Sequence, residues 1–477
     1  MLLIGRPVRV AGSALICLTL VGCGAGTAIK QTILGSGPQL GTSTEISGFL
    51  GGVAADEPEA VQIGKQILSH NGSAADAAAA VGFALSVTLP SRAGLGAGGA
   101  CLAFSPTAKS PNGEPEAIMF TSRPPAVAAG DRPAAVPMLA RGLFALQARY
   151  GVLPIEQILA PAEQLARLGA PVSQAFAEDL AVVGGALIAD PAAARVFGSQ
   201  GAVLAEHDIM TQTDLSSTLA RLRIQGARDL YEGELAATLV AETPGAGGPL
   251  TPADLANATP RLAAPLTLDA DKDRVSFLPP PADGGVAAAA AFQRLQIDPK
   301  DTDAAQARAL GVASAWRHGG DVAAILGSAD TQPNTLGALP ASTSFVTLDR
   351  TGNAVACAIT MGNLFGTGRV VPGTGILLAA SPAAVPPPLL AAAIAWNQGR
   401  RAFRAEVAGS GQDGAALAVA DGMLNTLKAK TAMPSTVPSP GRINAIACPK
   451  YLPGNPDQCT WATDPRNAGL AIGSTAN

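Results

Sequence analysis

The sequence predicts an α/β body built in layers, and three observations predict it. Helical spacings and short apolar runs alternate along the chain instead of collecting in separate halves, which places helices outside and adjoining strands inside. Several helical stretches are dense in alanine, as in residues 74–88, so helices can pack closely in a layered fold. Apolar residues make up 48% of the 477. At roughly 100–200 residues per domain, the length suits two or three domains or one large body.

The first residues stand apart from that body. Arg6 and Arg9 precede an apolar run from Val10 to Leu20, and Leu20-Val21-Gly22-Cys23 follows. A basic start, a short apolar core and small residues before a cut mark an export signal. The run is too short to span a bilayer, which takes ~20 apolar residues. Because the cysteine directly follows Leu-Val-Gly, the segment resembles the bacterial lipobox. Residues 1–22 then form a lipoprotein signal peptide, and Cys23 is the lipidated first residue of the mature chain, on the periplasmic side of a bacterial membrane. A plain signal peptide is the alternative. Several acyl chains, at ~0.8 kcal/mol per buried CH₂, give a stable anchor. Residues 23–52, rich in Gly, Ser and Thr, read as a flexible tether.

Beyond the tether, residues 57–69 have helical spacing and end at Asn71-Gly72, a helix-stop signal. Ser73 caps a second helix over 74–88. The glycine cluster Gly94–Gly99 then leads into a strand at Ala100–Phe104. The cluster matches GxGxxG by letter, but a dinucleotide site needs a strand before it and a helix after it. Here the order is reversed, so it reads as a tight turn with close backbone approach. Helices are predicted over 133–149, 154–168, 213–225 and 232–241, with Pro154 at a helix start and a short helix capped by Thr251. Strands are predicted over 274–278, 343–349, 353–360 and 374–379, with Asp349–Gly352 as a hairpin turn. There is no internal repeat.

Composition removes several function classes. Charged residues are 14% of the chain, against a usual ~25%. The 32 basic and 36 acidic residues leave no cationic excess to neutralise phosphates, so no nucleic-acid partner is expected. Hydrophobicity is too high for global disorder. His70, His207 and His318 lie far apart and form no metal motif, so neither metal nor cofactor is expected. Export implies an oxidising compartment, and a disulfide between Cys448 and Cys459 is expected. Cys101 and Cys357, in apolar strand-like runs, read as buried small hydrophobes.

Several stretches, in order, resemble the gamma-glutamyltransferase family. Asn71-Gly-Ser-Ala-Ala-Asp76-Ala-Ala is similar to that family's GGNAxDAA helix start, and Gly94–Gly99 to its glycine turn before a strand. Ala134–Pro171, Asp214–Val240 and Gly247–Leu255 resemble its helical segments, and Pro279–Gly285 its PPPxxGG turn. Thr351–Val355, Phe365–Gly368 and Gly373–Leu378 are similar to the region after its nucleophile, and Asp464–Gly473 to its C-terminal tail. The resemblance covers roughly residues 53–477. It implies an N-terminal-nucleophile hydrolase with a four-layer αββα sandwich, a large-subunit-like region at 53–341 and a small-subunit-like region at 342–477. Such a precursor cuts itself, and the freed α-amine, with a pKa of about 7.7–8.0, serves as base to the hydroxyl on the same residue.

Carried over residue by residue, the nucleophile falls on Ser342, counted back from Asp349 and Gly352, with cleavage between Ala341 and Ser342. Thr343 is the register-shifted candidate. A Ser that caps a backbone group is the plainer reading of Ser342. The second threonine, which hydrogen-bonds the nucleophile, falls on Thr360. The family's GSPGG oxyanion turn corresponds to Gly409-Ser410-Gly411-Gln412-Asp413-Gly414, whose N–H groups would stabilise an oxyanion. Arg123 corresponds to the arginine that pairs the substrate's α-carboxylate, with a surface residue as the alternative. Other positions depart from the family. Its histidine is Ser344, its asparagine is Gly362, and its acidic pair, which grips the α-ammonium, is Ala383 and Ala384; Asp413 or Glu406 is a possible substitute for that pair.

The implied function is an envelope-anchored hydrolase or acyltransferase for small-molecule γ-glutamyl amides such as glutathione. The alternative is a catalytically inactive relative serving as a binding or scaffold lipoprotein. Nothing in the sequence speaks to oligomeric state.

Overall fold

Two largely antiparallel sheets lie face to face, and helices cover the outer side of each. The computed structural model describes residues 43–47, 50–107, 110, 113–328, 336–337, 341–466 and 468–475. The expected signal peptide and Cys23 lie outside them. The first sheet has eight strands, in the order Ser43–Ser47, Leu470–Thr475, Gly51–Ala55, Ser342–Asp349, Ala354–Thr360, Gly98–Phe104, Glu116–Phe120 and Arg261–Ala263. Only its edge pair, Ser43–Ser47 with Leu470–Thr475, is parallel. The second sheet has six strands, in the order Leu266–Ala270, Asp273–Phe277, Ala391–Asn397, Ala402–Ser410, Arg442–Leu452 and Thr460–Thr463, all antiparallel.

Strand side chains alternate between faces, and this alternation builds three cores. Val346, Leu348, Ala354, Ala356 and Ala358 pack between the sheets against Leu390, Ile394, Ala408 and Ile446. Phe345, Val355, Cys357 and Ile359 point the other way, onto helices Pro58–Ser69, Ala74–Thr88, Leu139–Tyr150 and Ile155–Leu168. The second sheet's outer face packs on Asp283–Ile297, Thr302–Arg317 and Ala415–Ala429. The result is the four-layer αββα sandwich that the family resemblance implies.

Every residue of Ala74–Thr88 is buried, which its alanines permit because the helix is enclosed by neighbours on all sides. Its start carries a capping box between Ser73 and Asp76, and Asp76 also accepts from the Val152 N–H at 2.9 Å. The division expected at 341/342 does not correspond to a division of the sheets. The Ser342–Asp349 strand lies between Gly51–Ala55 and Ala354–Thr360, and the second sheet takes its first two strands from before the division.

Several expectations are corrected. The helix expected over 133–149 begins at Leu139. Pro137 disfavours helix at Val136, and that stretch instead bridges Arg123 to Val136 and Ala134 to Ala380. The helix expected over 232–241 is two, Arg228–Glu232 and Glu234–Glu242, broken at Gly233. The strand expected over 374–379 shrinks to Ile376–Leu377 beside the turn at Gly375, whose φ is +67°. The tether expected to run to residue 52 already contributes the Ser43–Ser47 strand and the start of Gly51–Ala55, because the sheet edge offers unpaired backbone groups.

Cys101 and Cys357 are joined as a disulfide, not left as separate small hydrophobes. They are direct register partners on adjacent strands, so their side chains meet on one face. Cys448 and Cys459 are also joined.

Candidate active site

The site begins where the Ser342–Asp349 strand begins. Ser342 lies directly opposite Thr360 on the neighbouring strand. Alternation puts Ser342 and Thr360 on the inter-sheet face, with Val346 and Ala358 further along it. Ser342 is only 3% exposed, and its Oγ has no hydrogen-bond partner among the described residues. A buried hydroxyl left unpaired costs about 1–3 kcal/mol, so stability alone does not account for a serine here. Thr360 Oγ1 donates to the Ala341 carbonyl at 2.8 Å and accepts from the Gly362 N–H at 3.0 Å. A hydroxyl is therefore aimed at the carbonyl of the Ala341–Ser342 peptide bond, next to a second hydroxyl that is uncommitted.

Thr343 occupies the other face and is committed. Its Oγ1 donates to Asp56 Oδ2 at 3.1 Å. The buried Asp56 carboxylate also accepts from Ser410 Oγ at 3.0 Å, from Asn444 Nδ2 at 2.7 Å and from the Ser344 N–H at 3.4 Å. Ser344, at the family's histidine position, donates its hydroxyl to the Ala408 carbonyl at 3.1 Å. Asn444 is held in turn by Thr463 Oγ1 at 2.8 Å. Sequence reasoning missed Asp56 and Asn444. The available signal for Asp56 was an acid placed directly after the apolar run Val53-Ala54-Ala55; Asn444 gave none.

The Gly409–Gly414 segment turns from strand into helix. Gly409 and Ser410 end the Ala402–Ser410 strand, and Gln412–Gly414 is a short 3-10 turn before Ala415–Ala429. Gly411 has a φ of +104°, and a Cβ there would lie 1.8 Å from the Pro440 carbonyl oxygen, so the turn requires glycine. Ser410 brings this turn to Thr343 through their shared partner Asp56. The Asp413 carbonyl accepts from Gln306 Nε2 at 3.0 Å.

Other expected recognition groups are not brought in. The Arg123 guanidinium has an unpartnered Nη2, and burial lowers its pKa although Asp254 opposes the effect. It does not line the cavity beside Thr360. Glu406 is fully buried between Ile394 and Ile446, with neither carboxylate oxygen partnered. Desolvation, helped by the nearby Asp349 charge, raises its pKa well above the usual carboxylate range. A carboxyl held neutral cannot replace the acidic pair as a counter-charge. Ala383 and Ala384 are exposed on the loop after Ser381. At Gly362, φ is +68° and a Cβ would lie 2.6 Å from the Ala380 carbonyl oxygen, so the chain path itself disfavours an asparagine.

Beside Thr360 and Gly362 lies a cavity of about 170 Å³, walled largely by Trp316, Val385, Pro388 and Leu390. Among the described residues, no group of His, Cys, Asp and Glu could hold a metal ion, and no helix is long and apolar enough to cross a membrane.

The sequence profile of the gamma-glutamyltranspeptidase family matches residues 60–318. The glutathione hydrolase proenzyme of Escherichia coli (strain K12) is 28% identical over 384 residues, which is 69% of this chain and 65% of the relative. A glutathione hydrolase of Aspergillus flavus is 34% identical over 263 residues, covering 53% of this chain and 42% of its own. The chain thus spans less than two thirds of the length of these relatives. Among solved structures, cephalosporin acylase from Bacillus halodurans superposes with a TM-score of 0.74 at 20% identity, covering 93% of this chain and 99% of that one. The gamma-glutamyltranspeptidase of Helicobacter pylori gives 0.51 at 23% identity, over 63% of this chain and 94% of its own. Both structural likenesses speak to the fold.

Proposed function

The chain belongs to the gamma-glutamyltranspeptidase family, and from that premise we propose that it is an amide hydrolase or acyltransferase that matures by cutting its own Ala341–Ser342 bond. The observation that carries this reading is the pairing of two hydroxyls at that bond: Ser342 Oγ, buried and unpartnered, and Thr360 Oγ1, donating to the Ala341 carbonyl.

In the cut, Ser342 Oγ attacks the Ala341 carbonyl carbon. The C–O bond forms, the C–N bond breaks, and the Ser342 amine is released. The Thr360 hydroxyl stabilises the negative charge that grows on the carbonyl oxygen. Water then hydrolyses the ester and leaves Ser342 as a new N-terminus. In the mature site its α-amine takes the hydroxyl proton as Oγ attacks a substrate amide, and passes that proton to the departing amine. Water or an amine acceptor finally attacks the acyl ester. The Gly409–Gly414 turn, tied to the same strand through Asp56, supplies N–H groups for the second oxyanion.

The relatives' names point to glutathione and hence to γ-glutamyl amides. This chain keeps the hydroxyls of such a site and lacks the acidic pair, so slow turnover of a γ-glutamyl anilide is expected. The absence of that pair and of the histidine is also what favours the second reading, an inactive relative kept as a binding or scaffold protein. Anchoring through Cys23 on the periplasmic side of a bacterial membrane is part of the proposal and rests on the pattern of residues 1–23, a basic start, a short apolar run and Leu20-Val21-Gly22 before Cys23.

Reducing denaturing electrophoresis of the purified chain separates the readings. Two fragments, lost in Ser342→Ala, support an enzyme. A single uncut band, unchanged by Ser342→Ala, supports the scaffold. Cutting that is lost only in Thr343→Ala would move the nucleophile by one residue.

A further inference from the structure

We propose that the cavity beside Thr360 takes an apolar acyl group, so that the preferred substrates are amides of uncharged, medium-chain or aromatic acids and not γ-glutamyl amides; this rests on Ser342 being the nucleophile. Thr360 lines the cavity and lies directly opposite Ser342. Ser342 itself does not line the cavity, so an acyl group held at Ser342 Oγ would reach this space past Thr360.

The walls decide the chemistry. Trp316, Val385, Pro388 and Leu390 give an apolar lining, and the polar side chains there are the neutral hydroxyls of Thr121, Ser122 and Thr360. Among the described residues, no charged side chain lines it. Arg123, next in sequence to the lining residue Ser122, does not itself line the cavity, and the charges beside Trp316 and Ala282 are committed to each other. Arg317 Nε donates to Asp283 Oδ2 at 2.5 Å, and its Nη2 donates to the Pro387 carbonyl at 2.6 Å. Ala383 and Ala384 add no carboxylate on the loop that bears Val385. A γ-glutamyl group would bring an ammonium and a carboxylate into this space with no partner for either, which is strongly unfavourable. An alkyl or aryl group would instead gain by leaving water.

Size narrows the class further. At ~30 Å³ per water-sized group, a cavity of about 170 Å³ holds five or six heavy atoms. A hexanoyl chain fits once its carbonyl sits at Ser342. The reaction balances as amide hydrolysis: the Ser342 ester forms as the amine leaves, and water returns the hydroxyl and releases hexanoic acid.

The test uses the full chain, with cutting first checked on a reducing gel. On cut protein, hexanoyl-p-nitroanilide is expected to exceed γ-glutamyl-p-nitroanilide in kcat/KM by at least about tenfold, and Val385→Asp is expected to lower the hexanoyl value by at least as much. Cut protein that prefers the γ-glutamyl anilide overturns the proposal and leaves the nucleophile standing. If the chain stays uncut, or is cut and hydrolyses neither anilide, tryptophan fluorescence titrated with hexanoate and with L-glutamate decides the matter. A saturable change with hexanoate alone, lost in Trp316→Phe, supports an apolar pocket. Saturation by glutamate, or by neither acid, overturns it.

Discussion

Cys101 and Cys357 face each other across adjacent antiparallel strands, Cα atoms 4.1 Å apart and joined by a disulfide, although 256 positions separate them in the chain. One lies before the proposed cut and the other after it. Self-cleavage would therefore leave the two fragments covalently linked. On a denaturing gel without reductant, the matured protein should run as one species; with reductant it should separate into two. Cys357→Ala should release two fragments even without reductant, while Ser342→Ala should give one band under both conditions.

The two hydroxyls at the Ala341–Ser342 bond should separate by rate. Thr360→Val keeps the shape and removes the donor to the Ala341 carbonyl. Loss of one oxyanion donor slows acyl chemistry by about 10²–10³-fold, so the uncut precursor should accumulate and convert slowly in a time course. Thr343→Ala removes one donor to Asp56 and should act mainly on stability, by about 1.5–3 kcal/mol for a bond to a charged group. Chemical denaturation measures that loss.

Glu57 should make stability depend on pH. Burial pushes its carboxyl from 4.5 to about 7, against bonds from the Ala60 N–H and Thr88 Oγ1. Between those values the folded chain keeps a proton that the unfolded chain releases. The contribution is thus complete below pH 4.5 and is lost as pH rises through about 7. The loss is about 3 kcal/mol at the usual 1.36 kcal/mol per pKa unit. Thermal melts from pH 5 to pH 8 should fall more for the native chain than for Glu57→Gln.

Glu406 should prove dispensable for folding. Its carboxyl has no partner between the sheets, with Ile394 and Ile446 as strand neighbours. Glu406→Met should raise stability by about 1–3 kcal/mol, the scale of a buried polar group without a hydrogen bond, with a higher melting temperature as the readout.

Much of the first sheet and its helices was legible. Asn71-Gly72 and Ser73 marked a helix end and start that the structure places within a residue or two, because caps are local chemistry. Of the second sheet, only Asp273–Phe277 was. Ala391–Asn397 and Ala402–Ser410 are covered on both faces, so they lack the polar–apolar alternation that identifies a strand. At the site, spacing and family resemblance singled out Ser342 and Thr360, which the strand register places opposite each other; the expected hydrogen bond from Thr360 to the Ser342 hydroxyl is not made, because Thr360 Oγ1 donates to the Ala341 carbonyl instead. Asp56 and Asn444 were not legible, since the bond that joins them and the one from Ser410 to Asp56 each cross more than 350 positions of chain.

By itself, the sequence determined the layered α/β class and the capped helices, which rest on residue type and local spacing, and through its family resemblance it singled out the hydroxyls. The tertiary structure alone decided which hydroxyl is free, which cysteines meet, and that Glu406 is shut away from any ligand. Strand register and burial settle those questions, and both arise only when distant segments pair and water leaves the space between them.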